Sequence, residues 1–358
     1  MIGVLLQVPR YKLFRATGRP RKLPLSMTVS VTYNCNSQCK TCNIWKKKAD
    51  DLSLEEFDLI FKSLGKTPYW FTISGGEPFL RDDIVQLCQS IYRNCKPGVI
   101  SIATNGLLTG IIPGKVKQIV EFCPRTHIIV NLSLDGIGAQ HDNIRGVPGN
   151  WEKAMKTYSA LRELKYSNLE LGIHSVVSNY NIHSIRETYD YVMRELKPDS
   201  YITEIAEERV ELDNIGAGIT PAPEAYGEVI DWLALQLRER RFKGISKITQ
   251  AFRLRYYESV KRVLVERRQV IPCYAGFAAA HILPDGEVWA CCIKGQSMGN
   301  LREANYDFKR IWASQEAERV RQGVKKDGCF CPVANISYIN MLCHFPTLLK
   351  VGWGIMTS

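Results

Sequence analysis

Residues 25–42 read Leu25-Ser-Met-Thr-Val-Ser-Val-Thr32-Tyr-Asn-Cys35-Asn-Ser-Gln-Cys39-Lys-Thr-Cys42. The β-branched and apolar run Leu25–Thr32 predicts a strand, and the three thiols that follow share one loop, spaced to point at a single centre. Similar runs recur at Trp70–Ser74, Val99–Ala103, His127–Leu134, Leu169–Val177 and Ser200–Ala206, with segments of helical period between them. The best marked helix opens with a capping box of Ser53 and Glu56, carries Leu54, Phe57, Phe61 and Leu64 on one stripe, and stops at Gly65. Asp82–Tyr92, Gly114–Phe122, Asn150–Leu164 and Ile182–Leu196 repeat the pattern. Six such steps require a parallel sheet, since each crossover helix must return the chain to the same edge. A barrel or a doubly wound sheet would satisfy that. Cys35, Ser74–Pro78, Thr104–Gly106, Ser133–Gly136 and Ser178–Asn181 all follow strand ends and gather on one rim, where barrels build active sites. The expected fold is therefore α/β, a barrel-like parallel sheet.

The rest of the composition bounds the function. With 358 residues, 45% hydrophobic and 23% charged, the chain can bury a sizeable core. No run of 18 apolar residues offers a membrane span. Arg10, Lys12 and Arg15 follow the apolar stretch Met1–Val8 instead of preceding it, which argues against a signal peptide and for a cytoplasmic location. Ten Lys and Arg and no carboxylate fall within residues 1–49, so nearly all of the net charge of +11 lies there. Such a segment suits an anionic substrate, acidic lipid or nucleic acid, or is a solvated arm. Of twelve cysteines, Cys88, Cys95 and Cys123 read as buried structural thiols; the other nine form an N-terminal and a C-terminal group whose placement favours metal over disulfides.

Three thiols are one short of a closed zinc site, and an iron–sulfur cube on three thiolates leaves one iron open. Spacing alone favours the cluster and leaves zinc standing. Cys35-x3-Cys39-x2-Cys42 after the first strand, Ser74-Gly75-Gly76-Glu77-Pro78 after the second, Thr104-Asn105-Gly106 after the third and Ser133-Leu134-Asp135-Gly136 after the fourth resemble, in order and over about 225 residues, the radical S-adenosylmethionine (radical SAM) superfamily. The resemblance implies a partial (β/α)6 TIM-like barrel, with a 4Fe-4S cluster on Cys35, Cys39 and Cys42 whose open iron takes the amino and carboxylate groups of S-adenosylmethionine. It also implies an oxidoreductase or transferase that forms a 5′-deoxyadenosyl radical. On that reading Gly75 and Gly76 let backbone approach the methionyl ammonium and Pro78 stiffens the turn. Ser74 and Glu77 belong to the same motif; Ser133, Asp135 and Thr104 suit the ribose or methionyl polar groups. Arg145 suits the methionyl carboxylate, which a guanidinium binds bidentately. Adenine is expected near Thr41 and Val176–Asn181.

In the C-terminal group, Gly286-x4-Cys291 and Met298-Gly299-Asn300-Leu301 resemble the auxiliary-cluster extension called SPASM, or its shorter twitch form. The expected ligands of one auxiliary 4Fe-4S cluster are Cys273, Cys291, Cys329 and Cys331, with Cys292 and Cys343 as substitutes or as parts of a second cluster, and a zinc ribbon as the alternative. The expected divisions are an extension at 1–24, the core at 25–225, a helical connection at 226–268, the auxiliary domain at 269–345, with short strands and few helices, and an apolar tail at 346–358.

Glu204, Glu207 and Arg209, after the sixth strand, are the candidates for substrate contact or proton transfer; a solvated charge run is the alternative. The apolar Met1–Leu6 and Phe345–Met356 flank the basic N-terminal arm in sequence and, should they meet, would suit a membrane interface. Otherwise they pack on the barrel. The expected partners are an unidentified substrate, anionic or lipid-linked, and an electron donor such as flavodoxin or ferredoxin, without nucleic acid. Peptide modification is the alternative chemistry, and a non-catalytic iron–sulfur or zinc protein binding nucleic acid is the alternative class; it leaves the four rim motifs unexplained.

Overall fold

A computed structural model describes residues 2–239, 245–326 and 328–357. Six parallel strands follow the expected runs: β1 (Ser26–Ser30), β2 (Trp70–Ser74), β3 (Val99–Thr104), β4 (His127–Ser133), β5 (Leu169–Val177) and β6 (Ser200–Ile205). Each pairs with its predecessor, and the register sets Ser30 against Ser74, Thr104 against Leu132 and Ser133 against His174. Helices Leu54–Leu64, Ile84–Cys95, Ile112–Phe122, Asn150–Arg162 and Ile185–Tyr191 cover the outside. The Ser53 side chain accepts from the Glu56 backbone and Glu56 caps the Ser53 N–H, which fixes where the first of them begins. Its Phe57, Phe61 and Leu64 are buried, with Phe61 edge-on to Phe71 of β2. Cys88, Cys95 and Cys123 are fully buried, Cys88 on the inward face of helix Ile84–Cys95, Cys95 at its end and Cys123 at the end of helix Ile112–Phe122.

β7 (Ala279–Ile282) adds to the free edge of β1 in parallel, then β8 (Glu287–Trp289) and β9 (Ser297–Asn300) continue antiparallel. The cysteine-rich segment therefore extends the barrel sheet. Arg302 ties it to the first barrel helix with a two-pronged bond to Glu56.

The C-terminal region is more helical than its sequence suggests: Phe308–Trp312, Gln315–Lys326, Ala334–Leu342 and Phe345–Thr357 are helices. Arg321 shows why one of them escapes a pattern search. It occupies the inward stripe with Ala317 and Val320, fully buried, its guanidinium donating to the carbonyls of Gly276 and Trp312 at 2.6 Å and lying 4.6 Å from the Trp312 ring. Burial lowers its pKa to about 10.

The N-terminal extension folds as helix Val8–Thr17, with Val8, Tyr11 and Phe14 buried and Phe14 edge-on to Phe277. It packs on the body and also meets the other end of the chain, where Lys12 Nζ lies 5.9 Å from the Phe345 ring centre.

Candidate active site

The loop after β1 is held on two sides. On one, Gly76 N donates to Thr32 O at 2.7 Å and Glu77 N to Asn34 O at 2.9 Å; on the other, Gln38 N and Lys40 N donate to the carbonyls of Arg145 and Ile144. The glycine pair has a reason beyond approach to a ligand: a Cβ on Gly75 would stand 2.3 Å from Thr32 O, and one on Gly76 2.1 Å from Asn34 O. Only glycine lets the β2 turn lie against the cysteine loop.

Cys35, Cys39 and Cys42 line one cavity of about 210 Å³ at the rim. Backbone N–H groups of Ser37 and Ile44 donate to Cys35 and Cys42 Sγ at 3.4 Å, and Arg145 Nη1 donates to Cys39 Sγ at 3.7 Å. Burial pushes Cys35 up to about 11 and Cys42 to about 12, and raises Cys39 as well, against the pull of Arg145. Deprotonation must accompany metal loading. Three thiols line this cavity, one short of the four ligands that close a structural zinc site. A cube, which offers a separate corner to each thiolate, fits this donor set better than zinc does.

Thr41, Ser74, Gly75, Gly76, Glu77, Thr104, Ser133, Asp135 and Arg145 line the same cavity; Pro78 is buried behind it in the turn Pro78–Leu80. Two carboxylates have protein partners. Glu77 accepts from Phe79 N, Thr104 Oγ1 and Asn105 N, at 2.7 to 3.2 Å, so it braces the β2 turn against the β3 turn. Burial raises its pKa to about 7. Asp135 accepts from Val176 N and pairs with Arg145 Nη2, both at 2.8 Å. Arg145 Nε is buried and unpartnered beside Cys39, an open donor for an anion.

Glu204, Glu207 and Arg209 stand across the same cavity. Arg209 Nη2 is 3.3 Å from Glu207 Oε2, and its Nε is buried without a partner. Burial raises Glu207 to about 7, with Arg209 opposing. Sequence reading passed over His174, whose Nε2 is 3.5 Å from Glu204 Oε1 on the cavity wall. Its signal was register alone, since it pairs with Ser133 on one side and Ile202 on the other.

Cys273, Cys291, Cys329 and Cys331 line a second cavity of about 280 Å³ with Arg15, Lys294 and Lys325. Cys292 and Cys343 do not line it. Cys292 is buried among the charges of Arg209, Glu211 and Glu207, on the rim side. Cys343 is buried near Lys12 and next to Tyr11 and Tyr274. Of the adjacent pair, Cys291 lines the second cavity and Cys292 is buried outside both cavities.

The radical SAM superfamily model matches residues 29–192, and that of SPASM, an iron–sulfur cluster-binding domain, matches residues 273–332. The chain belongs to the radical SAM superfamily. It is an enzyme of that family with a C-terminal SPASM domain, and its fold is the six-stranded partial barrel with a Cys-rich C-terminal region. Its cofactors are the family's 4Fe-4S cluster with S-adenosylmethionine and the auxiliary iron–sulfur of the SPASM domain. It is 30% identical to pre-heme d1 synthase of Dinoroseobacter shibae over 177 residues, 48% of this chain and 40% of that protein. It is 25% identical to the AdoMet-dependent heme synthase of Methanosarcina barkeri over 319 residues, 85% of each chain. Streptococcus suis SuiB, solved with S-adenosylmethionine and also with its precursor peptide SuiA, superposes with a TM-score of 0.62 at 16% identity. In the S-adenosylmethionine complex the match covers 85% of this chain and 68% of that one, and it shows the fold.

Proposed function

We propose that this radical SAM enzyme abstracts hydrogen from an anionic substrate anchored by Arg209, with Cys35, Cys39 and Cys42 holding the catalytic cluster and Cys273, Cys291, Cys329 and Cys331 an auxiliary one. When bound and reduced by an external donor such as flavodoxin or ferredoxin, the cluster and S-adenosylmethionine supply a 5′-deoxyadenosyl radical that removes a hydrogen atom. The chain's own groups divide the remaining work. Arg145 Nε receives the methionyl carboxylate, while Asp135 holds the guanidinium in place. Backbone at Gly75 and Gly76 faces the ammonium, with Glu77 fixing the turn rather than reaching for the ligand. Ile44, Ile205, Leu212 and Ile219 exclude water from the cavity. Glu207, whose pKa burial raises to about 7, is the group placed to take up or release a proton beside the substrate, with His174 and Glu204 on the same cavity wall.

The observation that carries the reading is Arg209, whose Nε is buried and unpaired in the same cavity as the three thiols. A charge-assisted bond from it is worth about 1.5–3 kcal/mol. The test is anaerobic 5′-deoxyadenosine formation with S-adenosylmethionine and dithionite, with and without the fraction of a lipid extract retained on an anion exchanger. Stimulation is expected, falling roughly 10- to 100-fold in Arg209→Gln and less in Arg209→Lys. Equal stimulation in Arg209→Gln rules the anchor out. Peptide modification is the second reading, favoured by the shared fold with SuiB; stimulation by peptide fractions alone would select it.

A further inference from the structure

Both ends of the chain carry apolar side chains on two faces. In Val8–Thr17 the inward side is Val8, Tyr11 and Phe14, while Leu13 on the outer side is half exposed. In Phe345–Thr357, Thr347 and Val351 turn inward, and Phe345, Leu349 and Trp353 form an outward stripe at intervals of four, with Leu349 63% and Trp353 67% exposed. Leu5 and Leu6 add to the outward set, Leu6 being 72% exposed. A helix of an ordinary water-facing surface keeps one apolar face. Here six of the fifteen large apolar residues exposed among the described residues lie on these end segments. Lys12, poised over Phe345, joins the two ends into one surface.

Charge says what covers it. Arg10, Lys12 and Lys350 are exposed on the same segments, and neither residues 1–49 nor residues 328–358 contain a single Asp or Glu. A second copy docked by a two-fold on these segments would bring their cations against their own equivalents, and neither segment holds a carboxylate to pair with them. Nucleic acid would meet the cations and leave the leucines in water. Leucines, a tryptophan and lysines interspersed on short helices match an anionic interface, with apolar tips at the acyl boundary and cations at the phosphates. We propose that this face seats the enzyme on an anionic lipid bilayer. No helix among the described residues is long and apolar enough to cross one. The seated helix also supplies Arg15, whose Nε donates to Cys273 O at 2.8 Å beside the auxiliary cavity.

The reconstituted holoprotein should co-sediment with vesicles of phosphatidylcholine and phosphatidylglycerol, and about a hundredfold more weakly with phosphatidylcholine alone, at about fivefold for each of three cations. Lys12→Gln with Lys350→Gln should weaken binding to the anionic vesicles about 25-fold and leave the zwitterionic residue of binding alone. Leu6→Gln with Leu349→Gln should weaken both, roughly tenfold per site, without changing 5′-deoxyadenosine formation in vesicle-free buffer. Brominated lipid should quench tryptophan emission in the wild type and less in Trp353→Phe. The proposal is overturned if the wild type ignores anionic vesicles, if either double variant binds as the wild type does, or if the leucine variant dissolves a dimer instead. None of these readouts needs hydrogen abstraction, so the seat and the proposed reaction stand or fall separately.

Discussion

Gly76→Ala is the substitution for which the structure states a consequence most directly. The added Cβ would lie 2.1 Å from Asn34 O, 2.6 Å from the Asn34 carbonyl carbon and 2.8 Å from Tyr33 O, where ordinary contact begins near 3.4 Å. All three neighbours are backbone, so no side chain can swing away. The β2 turn and the cysteine loop must part by more than an ångström, and the residue after Asn34 is Cys35. Two hydrogen bonds, Gly76 N to Thr32 O and Glu77 N to Asn34 O, stretch with the displacement. At about 1 kcal/mol each plus about 1–3 kcal/mol for overpacking, the local cost is roughly 3–5 kcal/mol. A reacting geometry displaced by that distance loses about 10²-fold in rate. The assay is iron and sulfide per anaerobically reconstituted chain together with 5′-deoxyadenosine formation, with Gly110→Ala, whose Cβ meets nothing within 4 Å, as control. Gly76→Ala should lose iron from one cluster only and fall about a hundredfold in rate. Full iron at the wild-type rate would refute the claim that the glycine seats the cysteine loop.

Two further predictions concern how the auxiliary domain is fastened. Arg321→Met leaves the Gly276 and Trp312 carbonyls without donors inside the core, and should lower stability by about 3 kcal/mol in chemical denaturation; a loss below about 1 kcal/mol would deny the buried guanidinium its structural role. Glu56 is held near 2 by Arg302, the Ser53 N–H and Tyr306, below its ordinary 4.5. A lowered folded-state value stabilises above the ordinary one, and that stability drains away as pH falls from 4.5 toward 2. After solvent screening it amounts to roughly 1 kcal/mol, and Glu56→Gln should flatten the acid limb of the pH–stability curve by that amount; an unchanged limb would contradict it.

The six strands and the rim were legible because both rest on local signals. β2 and β5 run over the residues that their apolar stretches predict, and parallel βα topology puts every strand-end motif at the same end of the barrel. What escaped was set by tertiary contacts. Glu77 and Asp135 read as cofactor ligands, and each carboxylate also accepts from backbone far away in sequence, Asn105 N after β3 and Val176 N on β5. His174 carries no motif, only an inward register position between Ser133 and Ile202. The helix Gln315–Lys326 hides behind Arg321, because a charged residue on the buried stripe breaks the amphipathic pattern until its two carbonyl partners are seen. Cys292 and Cys291 are neighbours in sequence and look alike there; after β8 only Cys291 reaches the second cavity, and Cys292 is buried near Arg209 and Glu211.

Metal and sulfide analysis of the anaerobically reconstituted chain, paired with S-adenosylmethionine cleavage, tests the catalytic cluster most directly. About eight irons per chain are expected. Changing Cys35, Cys39 and Cys42 to Ala together should halve that number and abolish 5′-deoxyadenosine. One zinc per site with no cleavage, or cleavage that survives the triple change, would contradict it.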